Sequence, residues 1–138
     1  MDKSLAKYLF SAPRHNTPCT QVQLLRVISE GDFTRVDMGY QATSLYERGG
    51  WVRISEHTFI QVLPTGEKLK LKGAENIPVG EIKHEFKNTK EWLYFSLFFP
   101  PVPFKTCKVN LIEKENSTGT DFNFYDIELR ISEAIKLL

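Results

Sequence analysis

The stretch "YFSLFFPPVP", Tyr94 to Pro103, decides how the rest of the chain is read. Extended back to Trp92, it alternates with a period of two and is apolar on both faces. Leu93, Phe95, Leu97 and Phe99 share one side; Trp92, Tyr94 and Phe98 share the other. A strand apolar on both faces is one covered on both faces, so the expectation is a buried central strand. The prolines at 100, 101 and 103 cannot donate to a ladder, so the strand ends there and leaves as a stiff extended segment. A membrane-seeking run or a sticky surface patch is the alternative set aside.

The same period recurs outward in both directions. In "TQVQLLRVIS", Val22, Leu24, Arg26 and Ile28 fall on one face, with Leu25 and Val27 on the other. In "FTRVDMGY", Thr34, Val36, Met38 and Tyr40 point one way, and Arg35 and Asp37 the other. "WVRI" turns Val52 and Ile54 inward, and "TFIQV" follows the polar break "SEH". In "PTGEKLKLKG" a turn leads into Leu69 and Leu71 alternating with Lys68, Lys70 and Lys72, an apolar face backed by a solvated lysine row. Ile82, His84 and Phe86 share an apolar face, making His84 a core or interface histidine. "CKVNLIE" and "FNFYDIELRI" complete the set, with Tyr125, Ile127, Leu129 and Ile131 as the inward stripe of the last strand. Short helices are expected at the two ends, over "SLAKYLF" and over "SEAIKLL" with Ser132 as cap.

Eight or nine short strands, turn signals between them and no βαβ alternation predict an all-β antiparallel sandwich. With 138 residues the chain reads as one domain, 19–138, preceded by an N-terminal extension, 1–18. Net charge is +1, so neither nucleic acid nor an anionic membrane is an expected partner. The longest apolar run falls well short of the ~20 residues that span a bilayer, so no membrane insertion is expected. "MDKSLAKYLFSAPRHNTP" lacks an apolar h-region and does not read as a secretory signal. Cys19 and Cys107 make neither a disulfide framework nor a zinc site. Each starts an expected strand, so a single bridge is geometrically open, but two buried or half-buried thiols are the expected state.

Chemistry is sparse in the pattern. His15, His57 and His84 lack metal-site spacing, "RGGW" lacks the residues of a phosphate loop, and no Gly-x-Ser-x-Gly elbow occurs. Glu47, Glu56, Asp121 and Asp126 lie in or beside loops and could be assembled into an acid/base pair, though their spacing does not demand it. No catalytic residue, metal or cofactor is assigned. Tyr46 and Trp51 flank the "ERGG" turn, with Arg48 between them; an indole, a phenol and a planar guanidinium on a flexible turn make the candidate ligand or partner site. Phe122 and Phe124 are placed on the face that carries Asp126 and Glu128.

The ordered segments "TRVDMGY", "GGWVRISEHTFI", "LKLKGAENIPVG", "KHEFK", "LYFSLFFPPVP", "VNLIE" and "FNFYDIEL" resemble a family of uncharacterised β-sandwich domains common in Bacteroidetes. The likeness runs from about Thr20 to Leu129 and departs at Asp126, where the family carries glycine. It implies an immunoglobulin-like sandwich of about 7–9 strands, attached to larger exported or multi-domain proteins, hence the cell envelope or periplasm. It supplies no catalytic residue. The expected role is a non-enzymatic interaction or accessory module with a protein partner. The alternative is a carbohydrate-binding module using loop aromatics; a hydrolase comes third.

Overall fold

A computed structural model describes residues 7–43, 48–63, 65–102, 107–116 and 121–137. Twelve strands run through them: β1 (Lys7–Ser11), β2 (Val22–Glu30), β3 (Thr34–Gln41), β4 (Trp51–Val52), β5 (Phe59–Leu63), β6 (Lys68–Lys70), β7 (Gly73–Glu75), β8 (His84–Glu85), β9 (Trp92–Phe99), β10 (Cys107–Ile112), β11 (Phe124–Leu129) and β12 (Ile135–Leu137). One sheet has the order β12-β1-β2-β3-β9-β7, a second β11-β10-β5-β6, and β4 pairs with β8 alone. Every strand pair is antiparallel. The chain is an all-β sandwich, with more strands than the pattern suggests because several are only two or three residues long.

Alternation builds the core. Val36 and Met38 from β3, Leu97 and Phe99 from β9, Ile60 from β5, Leu111 from β10 and Phe124 and Ile127 from β11 are all buried. Ring contacts cross the layers: Phe95 lies parallel to Phe122, and Tyr40 stacks on Phe86. Val102, beyond the two first prolines, is buried and donates its N–H to the Thr34 hydroxyl, so the exit from β9 is tied to the start of β3. Lys68 and Lys70 stand exposed on β6, an edge strand, with Leu69 buried between them. At the other edge of that sheet, Arg14 and Asn16 carbonyls accept the N–H groups of Glu128 and Tyr125 and cover β11.

Several expectations are corrected. No helix forms at either end of the described chain. Lys7–Ser11 instead finds ladder partners on both sides, from β2 and β12, which an isolated helical turn with its costly nucleus cannot match. This strand belongs to the stretch read as an extension. Ile131–Glu133 makes a single 3₁₀ turn without a side-chain cap, and the chain then re-enters the sheet as β12.

Two bulges reset the faces. In β2, Leu24 pairs with Met38 and Arg26 with Asp37, leaving Leu25 as the extra residue. Leu24 and Val27 therefore both face the core, and Arg26 is turned outward. In β11, Phe124 pairs with Leu111 and Ile127 with Val109. Asp126 takes φ 54° there and donates its N–H to the Asn110 side chain. A left-handed position favours glycine, and a short Asp side chain is among the few others it accepts. The bulge turns Phe124 inward and leaves Tyr125 half-buried; Phe122, also placed outward by simple alternation, is buried ahead of the strand, and Ile131 is half-buried in the 3₁₀ turn. Ile82 is also misread: β8 is just His84–Glu85, and Ile82 is 72% exposed.

Candidate functional site

The largest departure from the sequence reading lies on β9 itself. Its Leu93, Phe95, Leu97, Phe99 face is buried, but among the described residues no second layer covers the other: Trp92 is 37% and Tyr94 58% exposed. Their rings are near-parallel, 8° apart in plane with centroids 6.0 Å apart. Tyr94 faces Gly39 of β3 across the ladder. A Cβ at residue 39 would lie 3.0 Å from Tyr94 Cε1 and 3.5 Å from Trp92 Cε3, so glycine is what lets both rings rest on the neighbouring strand. The Asn76 amide donates to the Tyr94 carbonyl (2.5 Å) and fixes the end of β7 beside it.

Next to this aromatic shelf the same face holds an acid between two bases. Asp37 accepts from Arg26 Nε (2.5 Å), Arg35 Nε (2.7 Å) and Ser96 Oγ (2.5 Å). Burial opposes ionisation of Asp37, but the bonds from Arg26, Ser96 and Arg35 outweigh it and hold the carboxyl below its ordinary range. Arg26 reaches this face only because of the β2 bulge. Arg35 also lies over the Phe98 ring, 5.9 Å from its centroid. A depression of about 340 Å³ opens here, lined by Arg26, Arg35, Asp37, Glu75, Asn76 and Tyr94 among others. Stacking surface, carboxylates, guanidinium groups and an amide thus converge on one patch.

Of the residues singled out from sequence as a binding site, the two that are described, Arg48 and Trp51, do not line this depression. Tyr46 is outside the described residues, as is Glu47. Arg48 is exposed in its turn. Trp51 is 44% exposed on β4, and the cations over its ring are Lys83, 4.2 Å from the centroid, and Arg53 at 5.5 Å. Gly49, φ 90°, is pressed so close to the Asn88 carbonyl that a Cβ would come within 2.5 Å, so the "ERGG" turn is packed at that point rather than open. Val79 and Ile82 add exposed aliphatic surface in the segment before β8.

Of the loop carboxylates, Glu56 and Asp126 are exposed. Asp121 acts on a residue not singled out, Glu113, which accepts N–H bonds from Ser55 and Phe122 (both 2.9 Å) and ties two loops together. Burial pushes the Glu113 carboxyl up, the two N–H bonds resist this, and the charge of Asp121 adds to it. Asn123, fully buried, uses both lone pairs and both N–H groups on Glu113, Lys114 and Tyr125. Both residues have structural work to do. Among the described residues no group of three or more His, Cys, Asp or Glu side chains is placed to hold a metal ion, and no helix is long and apolar enough to cross a membrane.

The sheet-face patch had one legible signal: glycine in mid-strand, at Gly39, marks a close approach. Comparison with known proteins adds no precedent, for no family model, curated protein or solved structure matches the chain.

Proposed function

We propose that this chain is a non-enzymatic binding module whose ligand is a carbohydrate, held on the outer face of the six-stranded sheet. The observation that carries the reading is the Trp92–Tyr94 pair seated over Gly39 at the rim of the Asp37 depression. A pyranose has apolar C–H faces and a polar rim. Its faces are matched by exposed aromatic planes, and its hydroxyls by nearby carboxylates, amides and guanidinium groups. Both rings stand on a rigid sheet, so little freedom is lost when a sugar settles on them. Immunoglobulin-like kinship and a place in the cell envelope enter this proposal from the resemblance alone. Affinity electrophoresis in gels containing soluble polysaccharides tests the reading. Retardation by at least one polysaccharide, lost in Trp92→Ala and Tyr94→Ala, is expected; retardation unchanged in both variants would overturn it.

A second reading, docking of a protein partner, is favoured by the exposed Trp51, Val79 and Ile82 beside Lys83 and Arg53. Trp and Arg at the centre of an apolar patch are the usual anchors of such contacts. It predicts that Trp51→Ala abolishes partner capture while Tyr94→Ala leaves it intact.

A further inference from the structure

Resting on the carbohydrate reading, we infer that the sheet-face site selects acidic sugars: Arg26 and Arg35 form a carboxylate-binding pair for uronic-acid residues of a glycan. Each guanidinium spends its Nε on the same buried Asp37. Among the described residues no other hydrogen bond engages either group, so their terminal N–H donors remain for a ligand. One carboxylate neutralises only one of two guanidinium charges, leaving a surplus positive charge on that wall. Asp37 fixes both side chains in place, so the fork that receives a second carboxylate is set before binding. Glu75 balances that charge over the depression as a whole, but it stands on β7, two strands from Asp37 in the same register row, so the positive end remains at the arginines while Glu75 can accept sugar hydroxyls. Tyr94 is shared between the depression and the aromatic shelf, so one pyranose can lay its face on the ring and extend its C5 carboxylate to the arginines.

Isothermal titration with tetragalacturonate, with the neutral galactotetraose and with polyglutamate tests this, using the wild type, Arg26→Gln, Arg35→Gln and Tyr94→Ala. The uronate should bind roughly tenfold or more tightly than the neutral sugar, the worth of a charge-assisted contact. Either arginine variant should remove that preference while leaving weak binding of the neutral sugar; making both variants guards against one failing to fold. Tyr94→Ala should weaken both sugars, and polyglutamate should not compete. Equal affinity for the two tetrasaccharides, with both still dependent on Tyr94, would overturn acidic-sugar selection and leave the carbohydrate reading standing. Binding of polyglutamate as tightly as the uronate, or uronate binding that ignores Tyr94, would make the site a general anion patch and overturn both. Failure of both tetrasaccharides to bind would overturn acidic-sugar selection and leave the carbohydrate reading to the polysaccharide gels.

Discussion

Removing the Asp37 carboxylate should cost the fold a measurable and pH-dependent amount. In Asp37→Ala the buried Ser96 hydroxyl loses its acceptor and two guanidinium groups lose theirs. The bond from a buried hydroxyl to a carboxylate contributes about 1.5–3 kcal/mol. The arginine side chains are 53% and 36% exposed, so each pairing is screened and adds only about 0.2–1 kcal/mol. Together these make a loss of about 2–5 kcal/mol at pH 7. The sign of the pH effect follows from the lowered carboxyl pKa. Between the ordinary value of 3.8 and the lower folded value, the unfolded chain holds the proton more tightly, so stability rises with pH. The contribution is whole above the ordinary value and is lost as pH falls through the folded one. Urea unfolding of wild type and variant, run side by side from pH 7 down to pH 2.5, isolates this group from the other carboxylates. The gap should be widest at neutral pH and narrow below the ordinary value. A gap under about 0.5 kcal/mol at pH 7, or one that stays constant as the acid titrates, would refute the network as an element of stability.

Three other outcomes are expected. Phe95→Ala, facing the core of β9, should cost about 3–5 kcal/mol, whereas Lys70→Ala on the solvated edge should change stability by no more than about 0.5 kcal/mol; similar losses in the two would contradict the assignment of faces. Gly39→Ala should leave the unfolding free energy within about 1 kcal/mol, because the displaced Tyr94 ring has open solvent to move into, yet it should alter the near-ultraviolet dichroism of the ring pair; an unaltered signal would mean the rings do not rest on that glycine. Cys19 is buried, and burial pushes its thiol pKa up, so it should resist a thiol reagent in the native protein and react once denatured without reductant; no free thiol in the denatured protein would point to a bridge with Cys107.

Where one face of a strand is unambiguously polar, alternation located the core correctly: Val36, Met38 and Tyr40 on β3 and Leu69 on β6 are all inside. It failed where a single extra residue shifts the count. The bulges at Leu25 and at Tyr125–Asp126 leave no strong mark in composition, yet they decide where Arg26 and Phe124 point. On β9 the difficulty is of another kind. Apolarity on both faces says that both would gain from cover, but whether a second layer exists is a property of distant segments. The candidate site was missed for that reason: its aromatic half was read as interior, and Asp37 was placed only on the face opposite Val36, Met38 and Tyr40. The turn chosen instead contains an exposed Trp51, so the indole was correctly judged available, but Lys83 and Arg53 are what accompany it.

The pairing of β1 with β12 puts Lys7 opposite Leu137, and β3 finds its partner β9 only after some fifty intervening residues. A chain made from its N-terminus forward must therefore carry an unfinished sheet through most of its synthesis. Hairpin β2–β3 can close early, but the shelf strand and the closing edge arrive late. During that interval the edge of β3 that will pair with β9 has no neighbour. Permuting the chain through the natural β1–β12 proximity, with new ends opened in the exposed turn at Thr65–Glu67, would reorder which strands wait, and refolding yield would report how much that delay matters.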